Sequence, residues 1–281
     1  MYGLAAGLLM ALVTAPVGVS GAVFLLPVQL SVFAVPSPAV TPTNLLFNVV
    51  AGPGALLRYG RDGILNSPLT RRLVAGTLPG VVVGAVVRVF AVPGPAVFRV
   101  LVAGLLLPLG AWLVARTLHP VGGGRGQGPG RRARRVRTTG RGDQRPLTPD
   151  RPAGPPSPRT LTVLALTVGA IGGVYGIGGG SLLGPILVGR GMPVAQVAPA
   201  ALASTFATSV VGAAVFSLLS LTGAEDIAPV WPLGLACGVG GLIGGYLGAR
   251  LQPRVPEKAL RLLLGGLATA LGGLYAVDAL H

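Results

Sequence analysis

The residues of this chain that could do chemistry are small and polar, and they lie inside long apolar runs. In the segment Thr41-Pro42-Thr43-Asn44-Leu45-Leu46-Phe47-Asn48, the two asparagines fall one helical turn apart on one face. A later apolar run carries Ser204 and Thr205. Amide and hydroxyl groups in hydrocarbon need hydrogen-bond partners. They can join neighbouring helices or hold a polar ligand, and the residues alone leave both interpretations open.

Two glycine-rich stretches lie near these clusters, at 17–27 and 174–185. The second has four glycines in the five positions 176–180, followed by Ser181. Each glycine costs a helix interior roughly 0.5–1 kcal/mol relative to alanine, so an interrupted helix is predicted there. In a membrane, broken backbone is tolerated only where it is buried in protein or lines a cavity. The first stretch, with Ser20-Gly21-Ala22 at its centre, is a weaker copy.

A second half-helix is predicted to begin near Gly21 in the first stretch and near Gly179 in the second. The first amides of a helix have no intrahelical partner and carry about half a positive charge. Two such ends meeting near the membrane midplane would hold an anion without a buried lysine or arginine. The predicted backbone donors are Ser20, Gly21, Ala22, Gly178, Gly179 and Gly180, and the predicted side-chain donors are Asn44, Asn48, Ser181, Ser204 and Thr205. Tight packing of helices on small residues is the alternative explanation of the glycines.

The composition predicts the elements that position these residues. The chain has 281 residues, of which 51% are hydrophobic and 10% charged, whereas a soluble domain carries about 25% charged residues. A polytopic helical membrane protein is therefore predicted, and the lipid bilayer is its first partner. The apolar runs fall at 3–35, 38–57, 73–92, 96–117, 160–191, 194–221, 229–249 and 258–280. Runs 3–35 and 160–191 are too long for one straight span, and both contain a glycine-rich break.

The chain divides into two similar halves around an Arg/Gly/Pro-rich segment. Residues 119–159 are predicted to form a disordered cytoplasmic linker between a first membrane repeat, 1–118, and a second, 160–281. Gly18, Gly21 and Pro27 recur 158 positions later at 176, 179 and 185. The predicted fold is all-α, with two inverted four-element repeats, each beginning with a broken, re-entrant helix.

The charges predict the orientation and exclude some partners. Arginines cluster in the loop 58–72, in the linker and near 250–254, so these loops are predicted to be cytoplasmic, in a multi-pass protein of the inner membrane. The net charge of +15 would suit nucleic acid, but ten arginines lie in the linker. Nucleic acid is therefore not expected as a partner. A homodimer remains open.

No carboxylate lies in the middle of an apolar run. This disfavours a cation substrate, a proton relay and hydrolytic catalysis, so the chain is not expected to be an enzyme. One cysteine and two histidines, far apart, give no metal-ligand spacing, and no cofactor or metal is expected. A small anionic substrate remains. The rivals to a transporter working by alternating access are an anion channel and a permease subunit of a larger complex.

The second half carries a recognisable set of motifs. Gly176-Ile177-Gly178-Gly179-Gly180, then Leu182-Leu183-Gly184-Pro185, Ala203-Ser204-Thr205 and the glycine-rich ending from Gly240 resemble the TauE/SafE sulfite exporter family. Outside the linker, the resemblance covers nearly the whole chain. It implies export of small sulfur-bearing anions: sulfite, sulfoacetate, thiosulfate or related organosulfur acids. In the first half, Ser20 and Ala22 stand where the family has glycines, which implies an asymmetric site or a different substrate.

Overall fold

In the computed structural model, the described residues are 1–61, 65, 67–91, 95–118, 158–190, 192–221, 227–256 and scattered positions between 258 and 277. The predicted linker lies outside them except for its last two residues. Those two are helical, because Pro158 opens a helix, and the division into two repeats and a linker stays a prediction. Proline suits a first helical turn because its missing amide would have no partner there. The last apolar run, 258–280, is described only in part.

All regular elements within the described ranges are helical, as predicted. The α-helices are α1 (Tyr2–Thr14), α2 (Ala22–Ser31), α3 (Ser37–Gly60), α4 (Pro68–Phe90), α5 (Pro95–Leu118), α6 (Pro158–Tyr175), α7 (Gly180–Gly189), α8 (Val194–Ser220) and α9 (Trp231–Leu251). Short 3₁₀ turns follow α1 at Ala15–Val17 and α9 at Gln252–Arg254.

The two overlong apolar runs are each broken into two helices, as the glycine content predicts. Gly18 has φ +77° in the gap between α1 and α2, and Gly176 has φ +70° in the gap between α6 and α7. This left-handed backbone strongly favours glycine, because a Cβ would crowd the following carbonyl. The second helix of each pair is capped by Gly21 or Gly179, where the sequence predicts the new start.

Among the described residues, four helices are long and apolar enough to cross a membrane: Ser37–Gly60, Pro68–Phe90, Val194–Ser220 and Trp231–Arg254. At 1.5 Å per residue, each reaches beyond the roughly 30 Å of a hydrocarbon layer. Their starts are locally encoded, since Pro36 and Pro193 immediately precede α3 and α8, and the Ser67 side chain accepts a hydrogen bond from the Thr70 amide at 3.2 Å at the start of α4. The architecture is that of a polytopic helical membrane protein.

The first helix of each half packs against a helix of the other half: α1 against α9, and α6 against α4. In both contacts, glycine lets the backbones of the two helices approach closely. A Cβ at Gly240 would overlap the Leu4 carbonyl, and a Cβ at Gly80 would overlap the Leu166 carbonyl. Gly80 and Gly240 are 160 positions apart, close to the 158 that separates the repeated residues of the two breaks. This reciprocal contact supports the two-repeat arrangement, which stays a prediction.

Helices α2 and α7 lie in the protein interior. The fully buried large side chains include Leu25 and Leu26 of α2, Leu183 and Leu187 of α7, and Phe47 of α3. The broken elements are therefore surrounded by protein rather than exposed at the lipid-facing surface, as unpaired backbone in a membrane requires.

Candidate functional site

Four of the sequence-predicted residues form one hydrogen-bonded network between the two helix breaks. The Ser20 amide donates to Ser181 Oγ at 3.3 Å, and the Ser20 hydroxyl donates to Asn48 Oδ1. Ser181 Oγ and Thr205 Oγ1 are 3.2 Å apart and also share a hydrogen bond. None of the four is more than 6% exposed. Side chains from α3, α7 and α8 thus meet the first break at a single buried polar centre.

Both asparagines of α3 hold backbone at the breaks. Asn48 Nδ2 donates to the Gly176 carbonyl at 3.4 Å, so this side chain joins Ser20 of the first break to the second break. One turn earlier, Asn44 Nδ2 donates to the Ala22 carbonyl at 3.0 Å. Asn44 Oδ1 is buried and has no hydrogen-bond partner among the described residues. The two residues therefore fix where α2 begins relative to the second break.

Hydroxyl groups accept hydrogen bonds at the starts of the second helices. The Ala22 amide donates to Ser20 Oγ at 3.1 Å, and the Gly179 amide donates to Thr208 Oγ1 at 3.1 Å. Amides at a helix start favour negatively charged oxygen ligands, because the helix dipole adds to the hydrogen bonds. The hydroxyl oxygens occupy positions that the oxygens of a small anion could take.

A small cavity lies beside the network. Its volume is about 30 Å³. Four of the predicted site residues line it: Ser20, Gly21, Asn48 and Thr205. Phe47 is among the apolar residues that complete it. The space suits roughly two or three water molecules, at about 10–15 Å³ each. An oxyanion of four heavy atoms is larger than this space, so the cavity would have to widen to hold one.

The remaining predicted residues occupy other positions. Ser204 Oγ pairs with Thr77 Oγ1 of α4 at 2.8 Å, on a different side of α8 from Thr205. A Cβ at Gly178 or Gly180 would run into Thr205 or Ala201, so these glycines allow α7 to approach α8 closely. They act here through packing, and the assignment of all eleven residues to a substrate site stays a prediction.

One buried arginine was not among the residues predicted from the sequence. Arg88 is 2% exposed. Its Nη2 donates to the Ser37 carbonyl at 2.5 Å and to Ser37 Oγ at 2.9 Å, and its Nε donates to Thr41 Oγ1 at 3.2 Å. Thr41 in turn donates to the Val174 carbonyl at 3.1 Å, two residues before Gly176. Arg88 is therefore a positioning residue for the second break. A cation inside an apolar run was the available signal.

Gln29 was also missed. It lies on α2 and is fully buried, and both atoms of its amide lack a hydrogen-bond partner within the described part of the chain. An unsatisfied buried amide costs free energy, and nothing in the structure explains this one.

Arg88→Met is expected to lower the free energy of unfolding by about 2–4 kcal/mol, because it leaves the Ser37 and Thr41 oxygens without their buried donor. Arg72→Met is the matched control, since Arg72 lies on the same helix and is exposed. The control should stay within about 0.5 kcal/mol of the parent. Thermal unfolding of the detergent-purified proteins measures both, and equal melting temperatures for the two variants would contradict the role given to Arg88.

The chain was compared with protein families, curated proteins and solved structures. The family model "Sulfite exporter TauE/SafE" matches residues 3–275. No curated protein and no solved structure matches the chain significantly. The family match covers nearly the whole chain and includes both helix breaks and every residue of the network. The chain therefore belongs to the TauE/SafE sulfite exporter family, whose membership implies a membrane transporter of sulfite or related anions.

Proposed function

We propose that this protein exports a small sulfur-bearing anion, such as sulfite, sulfoacetate or a related organosulfur acid, across the inner membrane by alternating access. The observation that carries the proposal is the network of Ser20, Asn48, Ser181 and Thr205, which joins the two broken helices at one buried centre. The family supplies the class of anion.

Recognition of the anion rests on donors that need no buried positive charge. Helices α2 and α7 begin at the network, and their first amides favour negative oxygens. On binding, the anion's oxygens replace the Ser20 and Thr208 hydroxyls as acceptors at the Ala22 and Gly179 amides. The Ser20 hydroxyl then leaves Asn48 Oδ1 and donates to the anion instead. The sequence places no Asp or Glu within helices α1 to α9, so no carboxylate there repels the substrate.

Alternating access requires the small cavity beside the network to widen, and the two helix breaks are the places where the chain can bend. The left-handed glycines Gly18 and Gly176 separate each pair of helices, so one helix of a pair can move relative to the other. The reciprocal packing of α1 on α9 and of α6 on α4 supports two halves related by an inverted repeat, each able to rock against the other. The positive-inside rule orients the Arg250 and Arg254 end towards the cytoplasm.

Anion flux in proteoliposomes that contain only this protein distinguishes a transporter from a channel and from a permease subunit. The expected result is sulfite efflux that saturates with concentration and is accelerated by unlabelled sulfite on the opposite side. Flux that rises linearly, without counterflow, would identify an anion channel. An inactive, folded protein would favour a subunit that needs partners. Empty liposomes and liposomes loaded with a neutral sugar are the controls.

A further inference from the structure

A second cavity lies next to the first and is separated from it by one turn of chain. It has a volume of about 270 Å³, and its lining residues include Pro16, Val17, Val194 and Gln252. The inner cavity of about 30 Å³ is lined from the other direction by residues that include Thr14 and Ala15. The 3₁₀ turn Ala15–Val17 therefore forms the wall between a large outer space, the vestibule, and the inner cavity beside the polar network.

Two side chains hold this turn in place. Gln252 Nε2 donates to the Pro16 carbonyl at 2.7 Å. The Tyr59 hydroxyl lies 3.0 Å from Gln252 Oε1, to which it donates, and 3.4 Å from the Ala15 carbonyl. Tyr59 is 4% exposed and packs against Ala15. The turn is thus fastened from α3 on one side and from the end of α9 on the other.

We propose that Tyr59 and Gln252 are the gate residues on the vestibule side of the transport path, and that the turn Ala15–Val17 is the part that moves. The inference builds on the proposed function and names the passage by which the anion reaches the site. When the Tyr59–Gln252 pair separates, the turn swings away and the vestibule joins the inner cavity. When the pair forms, the anion site is closed on this side.

The local backbone suits such movement. Two hydrogen bonds outside the helices themselves close the turn, from the Gly18 amide to the Ala15 carbonyl at 3.1 Å and from the Val19 amide to the Thr14 carbonyl at 3.2 Å. Gly18, at φ +77°, then breaks the chain before α2 begins. Before the second break, the described residues form no such turn, because α6 continues to Tyr175. The gate is therefore one-sided, at the end that carries Arg250 and Arg254.

Cysteine accessibility tests the gate without measuring transport. In a Cys237→Ala background, which removes the only cysteine, Thr14→Cys reports the inner cavity and Ala195→Cys reports the vestibule. Inside-out membrane vesicles are treated with a membrane-impermeant maleimide. Tyr59→Phe keeps the buried ring and removes only the hydroxyl, and Gln252→Ala removes both bonds. Gln196→Ala is the matched control. Gln196 is an exposed glutamine on α8, and its neighbours Val194 and Ala195 line the vestibule.

The expected result is that Tyr59→Phe and Gln252→Ala each raise the labelling rate of Thr14→Cys by roughly tenfold, as the loss of one or two net hydrogen bonds predicts. Labelling of Ala195→Cys stays unchanged in both, which reports an intact fold, and Gln196→Ala changes neither reporter. Unchanged labelling of Thr14→Cys in both gate variants, with Ala195→Cys reactive, would overturn the gate. Because no anion is present, this result is independent of whether sulfite is the substrate.

Discussion

Asn48→Ala is expected to reduce sulfite flux in proteoliposomes by about tenfold or more while the protein still purifies as a folded helical protein. The Asn48 side chain bonds both Ser20 and Gly176, so alanine removes one link between the two breaks and leaves the link from the Ser20 amide to Ser181 Oγ. Removing a buried hydrogen-bonded amide costs about 1–3 kcal/mol, which is enough for such a change in binding. The remaining helix packing should retain the fold.

Thr43→Val is the matched control for this loss. Thr43 lies on the same helix and is fully buried, but its hydroxyl bonds Ala39 and Val230, away from both breaks. Its replacement should leave flux within about twofold of the parent, because the Thr43 hydroxyl shares no hydrogen-bond partner with the network, and changes at separate sites act independently. Equal flux from Asn48→Ala and the parent protein would remove Asn48 from the site. Equal loss from both variants would point to a general packing defect.

Gly176→Ala is expected to lower the free energy of unfolding strongly, because the added methyl group meets both a left-handed backbone and a neighbouring carbonyl. Its φ of +70° costs an L-residue roughly 1–2 kcal/mol. The added Cβ would also overlap the Thr41 carbonyl, which is backbone and cannot rotate away. Overpacking of this kind costs about 1–3 kcal/mol more. Thr41 is itself tied to Arg88 and Val174, so the strain spreads to both.

Gly104→Ala provides the control for the same change of residue. Among the described residues, a Cβ at Gly104 would meet no atom within 4 Å, and this glycine lies inside α5. Alanine there should stabilise the helix by about 0.5–1 kcal/mol. Melting temperatures in detergent compare the two proteins. A stable Gly176→Ala protein with normal flux would show that the second break does not need its left-handed backbone.

The breaks were predictable because their cause is local. Glycine at four of five positions weakens a helix wherever it stands, and proline before α3 and α8 favours a helix start without any tertiary contact. Ser204 and Thr205 show where such reasoning ends. Neighbouring residues on a helix point about 100° apart, so only one can face a given site, and the rotation of α8 is set by packing. Thr205 lines the inner cavity and Ser204 bonds Thr77.

The gate pair and the arginine contacts were not predictable from the sequence for a related reason. Tyr59 and Gln252 are 193 positions apart, and their contact exists only after α3 and α9 have packed together. Arg88 stands in a valine-rich run near a helix end, where a cation commonly reaches back to the interface. Only the fold shows that Arg88 is instead buried against Ser37 and Thr41.

The most direct test of the central claim is an experimental structure with selenite, the heavier analogue of sulfite, located by the anomalous signal of selenium. The proposed site predicts selenium between the two broken helices, with its oxygens within hydrogen-bond distance of Ser20 and Thr205 and of the amides that begin α2 and α7. Selenium bound elsewhere, with the network of Ser20, Asn48, Ser181 and Thr205 unchanged from its anion-free arrangement, would contradict it.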